Sequence, residues 1–157
     1  MKSHHYSIVN TWTGNYGPGT QNYKSYERSY TIHTEGKPEL AGSSDSNFRG
    51  DKSKYNPEEL FIASISGCHL LWYLHLCTLE GVIVIDYTDR TTGIMKENKD
   101  GSGAFTEVTL HPKVIVSDLS MIEKAEALHT NANKMCFIAN SCNFPILHKP
   151  EISIQLP

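Results

Sequence analysis

The chain has 157 residues, with 14 Lys and Arg against 17 Asp and Glu and a net charge of −3 when its eight histidines are neutral. That balance speaks against a nucleic-acid surface, which needs a clustered basic excess. A composition of 39% hydrophobic and 20% charged residues excludes a disordered chain and gives 1–157 the size and core of a single domain that needs no disulfide or metal staple.

Taken in order, the Met1–Tyr6 segment lacks an apolar signal-peptide core, so the expectation is a cytoplasmic protein. Tyr6–Trp12 and Tyr23–Thr34, rich in aromatic and β-branched residues, read as strands parted by the turn-rich Gly14–Gly19 stretch. Glu35–Tyr55 is polar, rich in Gly and Ser, and without a period, a long loop of the kind that often carries function. Asn56-Pro57-Glu58-Glu59 then supplies an N-cap, a first-turn proline, acids at the positive end of the dipole and an N-x-x-E capping box. Gly81 supplies the stop. The helix predicted between them, Pro57–Glu80, is about 36 Å long.

Leu60–Leu79 carries no charge and is long enough to cross a bilayer. Its flanks are acidic, however, and it contains Ser64, Ser66, His69, His75 and Thr78, which argue against a span. A helix buried in protein nearly all round is expected, with no membrane contact. A small domain struggles to cover every side of such a helix, so a second copy of the chain is the expected cover. Val82–Tyr87 follows as a strand, and Asn98–Gly103 reads as the turn of a hairpin between Thr91–Lys96 and Ala104–Val116. In that second arm Val108, Leu110, Val114 and Val116 share one face. Ser120-Met121-Ile122-Glu123 reads as a capping box opening a helix with Ile122, Ala125, Leu128, Ala132 and Met135 on one side. Ile152, Ile154 and Leu156 alternate along a closing strand. The class is α+β.

Four cysteines, Cys68, Cys77, Cys136 and Cys142, are too few and scattered for a secreted disulfide scaffold. Cys68 lies in the first helix and Cys136 at the end of the second, each turned toward the interior, where the helices are expected to meet. Cys77 is rotated to the opposite face from Cys68, and Cys142 falls in a loop. From spacing alone, four thiols packing as small hydrophobes is the favoured reading. There is no CxxC, HxxxH or EF-hand loop to point to a metal. Cys68 and His69, adjacent on a helix, cannot pair as a Cys–His hydrolase.

The surrounding words carry more. Asn56-Pro57-Glu58-Glu59-Leu60-Phe61, then Ala63-Ser64 and Gly67-Cys68, resembles the signature of the OsmC/Ohr family, the osmotically inducible and organic-hydroperoxide-resistance proteins. There an N-P-E start leads to a reactive cysteine ten residues after the first glutamate, the separation of Glu58 and Cys68. The segment Ala132–Asn140, with Cys136, is similar to the family's late cysteine. The resemblance implies antiparallel sheets wrapped around long buried central helices in an intertwined homodimer. It implies a thiol-dependent peroxidase acting on organic hydroperoxides, active in antioxidant stress response, without metal or organic cofactor. The implied reductant is a dithiol on a lipoyl-bearing partner protein.

The same resemblance implies roles. Cys68 is the peroxidatic thiol, Cys136 the resolving thiol, and Glu58 the carboxylate that holds a catalytic arginine. Arg49, in the loop before the N-P-E start, is matched to that arginine. Arg28, on a strand face with Tyr26, Tyr30 and Ile32, is the alternative. The chemistry asks for this set: a thiolate attacks peroxide, a guanidinium stabilises it, and a carboxylate orients the guanidinium. Phe61, Leu71, Trp72, Phe137 and Phe144 would suit an alkyl or fatty-acid hydroperoxide better than hydrogen peroxide. In a straight helix Glu58 and Cys68 are about 15 Å apart along the axis. Either the helix breaks near Gly67, or the pieces come from two chains. A non-catalytic thiol redox sensor, or a small-molecule-binding protein on the same fold, is the alternative function.

Overall fold

Aromatic and β-branched residues build a small antiparallel sheet early in the chain, of β1 (Val9–Trp12), β2 (Tyr30–His33) and β3 (Leu40–Gly42), in the order β1-β2-β3. These belong to the first of two compact units, Met1–Phe61 and Ile62–Pro157, in a computed structural model that describes residues 2–155. The predicted strands are longer than the observed ones. Tyr23 and Tyr26 lie outside β2 because their rings flank the Arg28 guanidinium, at 4.3 and 4.2 Å from its centre. The Glu35–Tyr55 segment is less of a loop than expected. It holds β3, a 3-10 turn at Ser46–Phe48 capped by the Asp45 side chain, and a parallel bridge from Gly42 to Tyr55.

That turn is tightly closed. Gly50 N–H donates to the Asp45 carbonyl at 3.0 Å, and a Cβ on Gly50 would overlap the Ser44 carbonyl. Gly50→Ala is therefore expected to destabilise the protein by about 1–3 kcal/mol through forced backbone displacement. Urea unfolding would read this as a lower midpoint at unchanged slope.

Helix α1 (Pro57–Leu79) runs unbroken through Gly67. Its capping box is made as predicted: Glu59 N–H donates to Asn56 Oδ1 at 2.8 Å and Asn56 N–H to Glu59 Oε2 at 3.1 Å. At the other end Gly81 has φ 70° and Val82 N–H reaches back to the Cys77 carbonyl at 2.9 Å. This six-to-one closure needs a left-handed residue at Gly81.

The chain by itself covers only part of α1. It is long and apolar enough to cross a membrane, yet within the chain it is not buried all round. Only the stripe Ile65, His69, Tyr73 and Cys77 is fully buried. Cys77, nine residues from Cys68 and so on the opposite face, belongs to that core stripe, while Leu71 stays 69% exposed.

The second unit carries β4 (Val84–Asp89), β5 (Thr92–Glu97), β6 (Gly103–Leu110), β7 (Pro112–Val116), α2 (Ile122–Met135), β8 (Ile146–His148) and β9 (Glu151–Ile154). The hairpin is β5–β6. Its second arm is broken at His111, whose N–H is taken by Asp89 Oδ1 at 2.7 Å, and β7 passes into another sheet. The two sheets have the orders β4-β7-β9 and β5-β6-β8. They are mixed rather than antiparallel, because β6–β8 and β7–β9 are parallel pairs. The chain enters both edges after the α2 crossover, which is the connection that parallel strands require.

Val108, Leu110, Val114 and Val116 are all buried, as their shared face predicts, each contributing roughly 1.5–3 kcal/mol by leaving water. Val114 and Val116 join Tyr73 and Cys77 of α1 and Ala125, Leu128 and Ala132 of α2 in one core cluster. The expected Ser120 capping box is replaced. Asp118 caps a 3-10 turn at Leu119–Met121 by accepting from Ser120 N–H at 2.9 Å, and α2 begins only after it. Ile152 and Ile154 lie in β9; Leu156 is outside the described residues.

Candidate active site

Cys68 is half-buried on α1, and Cys136 is fully buried where α2 ends. The two thiols are close enough for their side chains to interact. The fold places them there for local reasons. Cys136 leaves helical geometry (φ −66°, ψ 110°) and starts a turn in which Asn140 N–H returns to its carbonyl at 3.0 Å. Ala139 N–H points at its sulfur at 3.3 Å. Burial above all pushes the Cys136 thiol up to about 11, with the Cys68 contact acting in the same sense, so Cys136 keeps its proton at neutral pH. All four cysteines are free thiols. Cys142 donates to the Ile138 carbonyl at 3.3 Å.

Trp72 and Phe137 flank the pair in sequence and meet edge to face, ring centroids 5.6 Å apart. Phe137 is 68% exposed. Phe144 stacks instead on Phe105, centroids 6.2 Å apart. Among the described residues no group of three or more His, Cys, Asp or Glu is arranged to hold a metal ion.

In the first unit, Glu58 occupies the first turn of α1, and its charge helps burial raise the Tyr30 hydroxyl. Its Oε2 is buried without a hydrogen-bond partner. Neither expected arginine is ion-paired with it among the described residues. Arg49 is exposed, takes the left-handed conformation (φ 65°) and stands 5.7 Å from the Tyr23 ring. Arg28 precedes β2 rather than lying on a strand face. Its guanidinium donates to the Tyr26 and Tyr23 carbonyls at 2.6 and 2.7 Å. Arg28 thus ties its own loop together, whereas Arg49 makes no ion pair among the described residues. α1 does not break near Gly67, so ten helical residues, about 15 Å, separate Glu58 and Cys68 on it.

The sequence reading missed a buried histidine pair. His69 Nε2 and His129 Nδ1 are 3.0 Å apart, both rings fully buried. Burial holds His69 down to about 4 and His129 down to about 3, helped by their neighbours. The signal was available: Ile65, His69, Tyr73 and Cys77 form a four-residue period on α1, and His129 sits between Ala125 and Ala132 on α2.

Two helices, three small sheets and a thiol pair joining α1 to the end of α2 define an α+β thiol protein. The sequence pattern of the OsmC-like protein family matches residues 50–151, and the chain belongs to that family. The match takes in Glu58, Cys68 and Cys136 and begins one residue after Arg49. Among solved structures, an OsmC-like protein of unknown function from Vibrio cholerae O1 biovar eltor is 27% identical, with TM-score 0.85, covering 95% of this chain and 100% of its own. An organic hydroperoxide resistance protein from Elizabethkingia anophelis is 22% identical, with TM-score 0.68, covering 99% and 100%. One from Legionella pneumophila is 18% identical, with TM-score 0.66, covering 98% and 100%. The last two share the fold with this chain. Comparison with curated proteins gives no match.

Proposed function

We propose that the protein is a thiol-dependent peroxidase that reduces organic hydroperoxides to alcohols. The observation that carries the reading is the contact between a half-buried Cys68 and a buried, protonated Cys136. Cys68 sulfur attacks the outer peroxide oxygen. The O–O bond breaks, the alcohol leaves with the proton, and Cys68 becomes a sulfenic acid. Cys136 attacks that sulfur, water leaves, and a Cys68–Cys136 disulfide forms before further oxidation. A dithiol returns both sulfurs to thiols and closes to its own disulfide. A lipoyl-bearing protein in the cytosol is the proposed donor, and the Trp72–Phe137 wall favours an alkyl or fatty-acid substrate.

The arginine half of the site is proposed to come from a second copy of the chain. Two observations support this: α1 is continuous between Glu58 and Cys68, and its unburied faces carry apolar residues such as Leu71 and Leu79. The idle Glu58 Oε2 fits a guanidinium partner, since an unpaired buried carboxylate oxygen is costly. Arg49 is proposed as that partner.

A steady-state assay with an organic hydroperoxide and a lipoyl-type dithiol tests the reading. Rapid turnover supports a peroxidase; disulfide formation without turnover supports a redox sensor. The arginine is tested by labelling Cys68 with iodoacetamide against pH. Arg49→Ala should shift the curve to higher pH, and Arg49→Lys should recover part of the loss. Glu58→Ala should resemble a milder Arg49→Ala, although removing an acid near a thiolate would by charge alone shift the curve the other way. A shift in Arg28→Ala with none in Arg49→Ala would exchange the two arginines.

A further inference from the structure

The imidazole pair is carried by the same two helices as the thiols. His69 follows Cys68 directly on α1, and His129 precedes Cys136 by seven residues, two turns along the same face of α2. A neutral imidazole carries one N–H and one bare nitrogen. One ring therefore donates to the other across the 3.0 Å contact. The outer nitrogens, His69 Nδ1 and His129 Nε2, are left buried and unpartnered.

Little about this arrangement favours it as filling for a core. Tyr73 stacks on His129 with ring centroids 3.9 Å apart, His148 lies 5.9 and 6.3 Å from the His69 and His129 centroids, and the core cluster that holds Tyr73 is otherwise Val, Leu, Ala and Cys77. Apolar side chains of the same volume would fill such a space without two idle polar atoms. What a hydrogen bond adds is a fixed length and direction between the two helices that carry it.

We propose that the His69–His129 hydrogen bond is a positioning clasp, holding α1 and α2 at the spacing and rotation at which Cys68 and Cys136 meet and close into a disulfide. The clasp concerns the thiol pair on which the peroxidase reading rests, but it is measured without peroxide. Rigid placement of two reacting groups raises their effective concentration, and small misplacements lower it steeply.

The experiment equilibrates the whole protein with reduced and oxidised dithiothreitol at pH 7. Two protein S–H groups give one S–S bond as oxidised dithiothreitol gains the two electrons and two protons. The ratio reports the effective concentration of the pair, and peptide mapping identifies it as Cys68–Cys136. Three variants are compared, each checked for folding by circular dichroism. His69→Gln with His129→Asn places amides where Nε2 and Nδ1 stand and should keep an effective concentration close to that of the unaltered protein. His69→Asn with His129→Asn has the same chemistry but is one methylene too short, and should lose about tenfold or more. His69→Leu with His129→Leu should lose a similar factor.

Equal values in the matched and short amide variants would overturn the clasp, whether both stay high or both fall. The comparison decides even if the leucine variant fails to fold. A protein with a normal effective concentration that nevertheless ignores peroxide would sink the peroxidase reading and leave the clasp standing.

Discussion

Cys68→Ser should abolish hydroperoxide consumption, a loss of at least about a thousandfold, because the proposed reaction takes its nucleophile from Cys68. Cys136→Ser should instead permit one turnover per chain, then stall as a sulfenic acid or pass to higher oxides. The asymmetry follows from the environments. Cys68 is the accessible member of the pair, whereas Cys136 is buried and held protonated, with its thiol pushed up to about 11. Mass spectrometry after one equivalent of peroxide should find a Cys68–Cys136 disulfide in the unaltered protein. A dominant Cys136–Cys142 bridge would overturn the assignment, and Cys142 has the proximity in sequence to compete.

Local signals were legible in this chain, and long-range pairings were not. The Asn56–Glu59 box and the Gly81 stop place the ends of α1 to within a residue, because caps are short-range hydrogen bonds between neighbours. The face shared by Val108, Leu110, Val114 and Val116 is legible for the same reason. The parallel β6–β8 and β7–β9 pairings depend on strands that follow α2, far along the chain, so no local pattern announces them. Tyr23 and Tyr26 look like strand residues until Arg28 recruits their rings and carbonyls.

The thiol pair was found through its motif and its helical phase. The histidine pair was missed because α1 is apolar on every side. Against that background the stripe Ile65-His69-Tyr73-Cys77 does not stand out, though it alone is fully buried. Glu58 and Arg49 were read from one short motif region, and among the described residues no ion pair joins them. A short motif does not say how its residues pair in space.

The histidines also set an acid limit on stability. His69 is held down to about 4, by burial first and then by His148, with Asp89 opposing. His129 is held down to about 3, by burial first and then by His69 and His148. Unfolded, each returns to an ordinary value near 6.5. Between about pH 6.5 and 4 the unfolded chain therefore binds more protons than the folded one, and stability rises with pH across that window. It is fully present above the unfolded value and is lost as pH falls toward the folded one. For His69 alone the loss reaches about 3 kcal/mol, at roughly 1.4 kcal/mol per pH unit. Asp51, whose carboxyl is held at about 2 by its Ser53 and Lys54 contacts, acts in a lower window, lost below the ordinary carboxylate range. Urea midpoints measured from pH 7 to 4.5 should thus fall steeply below about pH 6. His69→Gln with His129→Asn, whose amides do not titrate, should flatten the curve while leaving the pH 7 value nearly unchanged. An unchanged slope in that variant would mean that the acid sensitivity lies elsewhere and that the buried imidazoles take up protons without parting the helices.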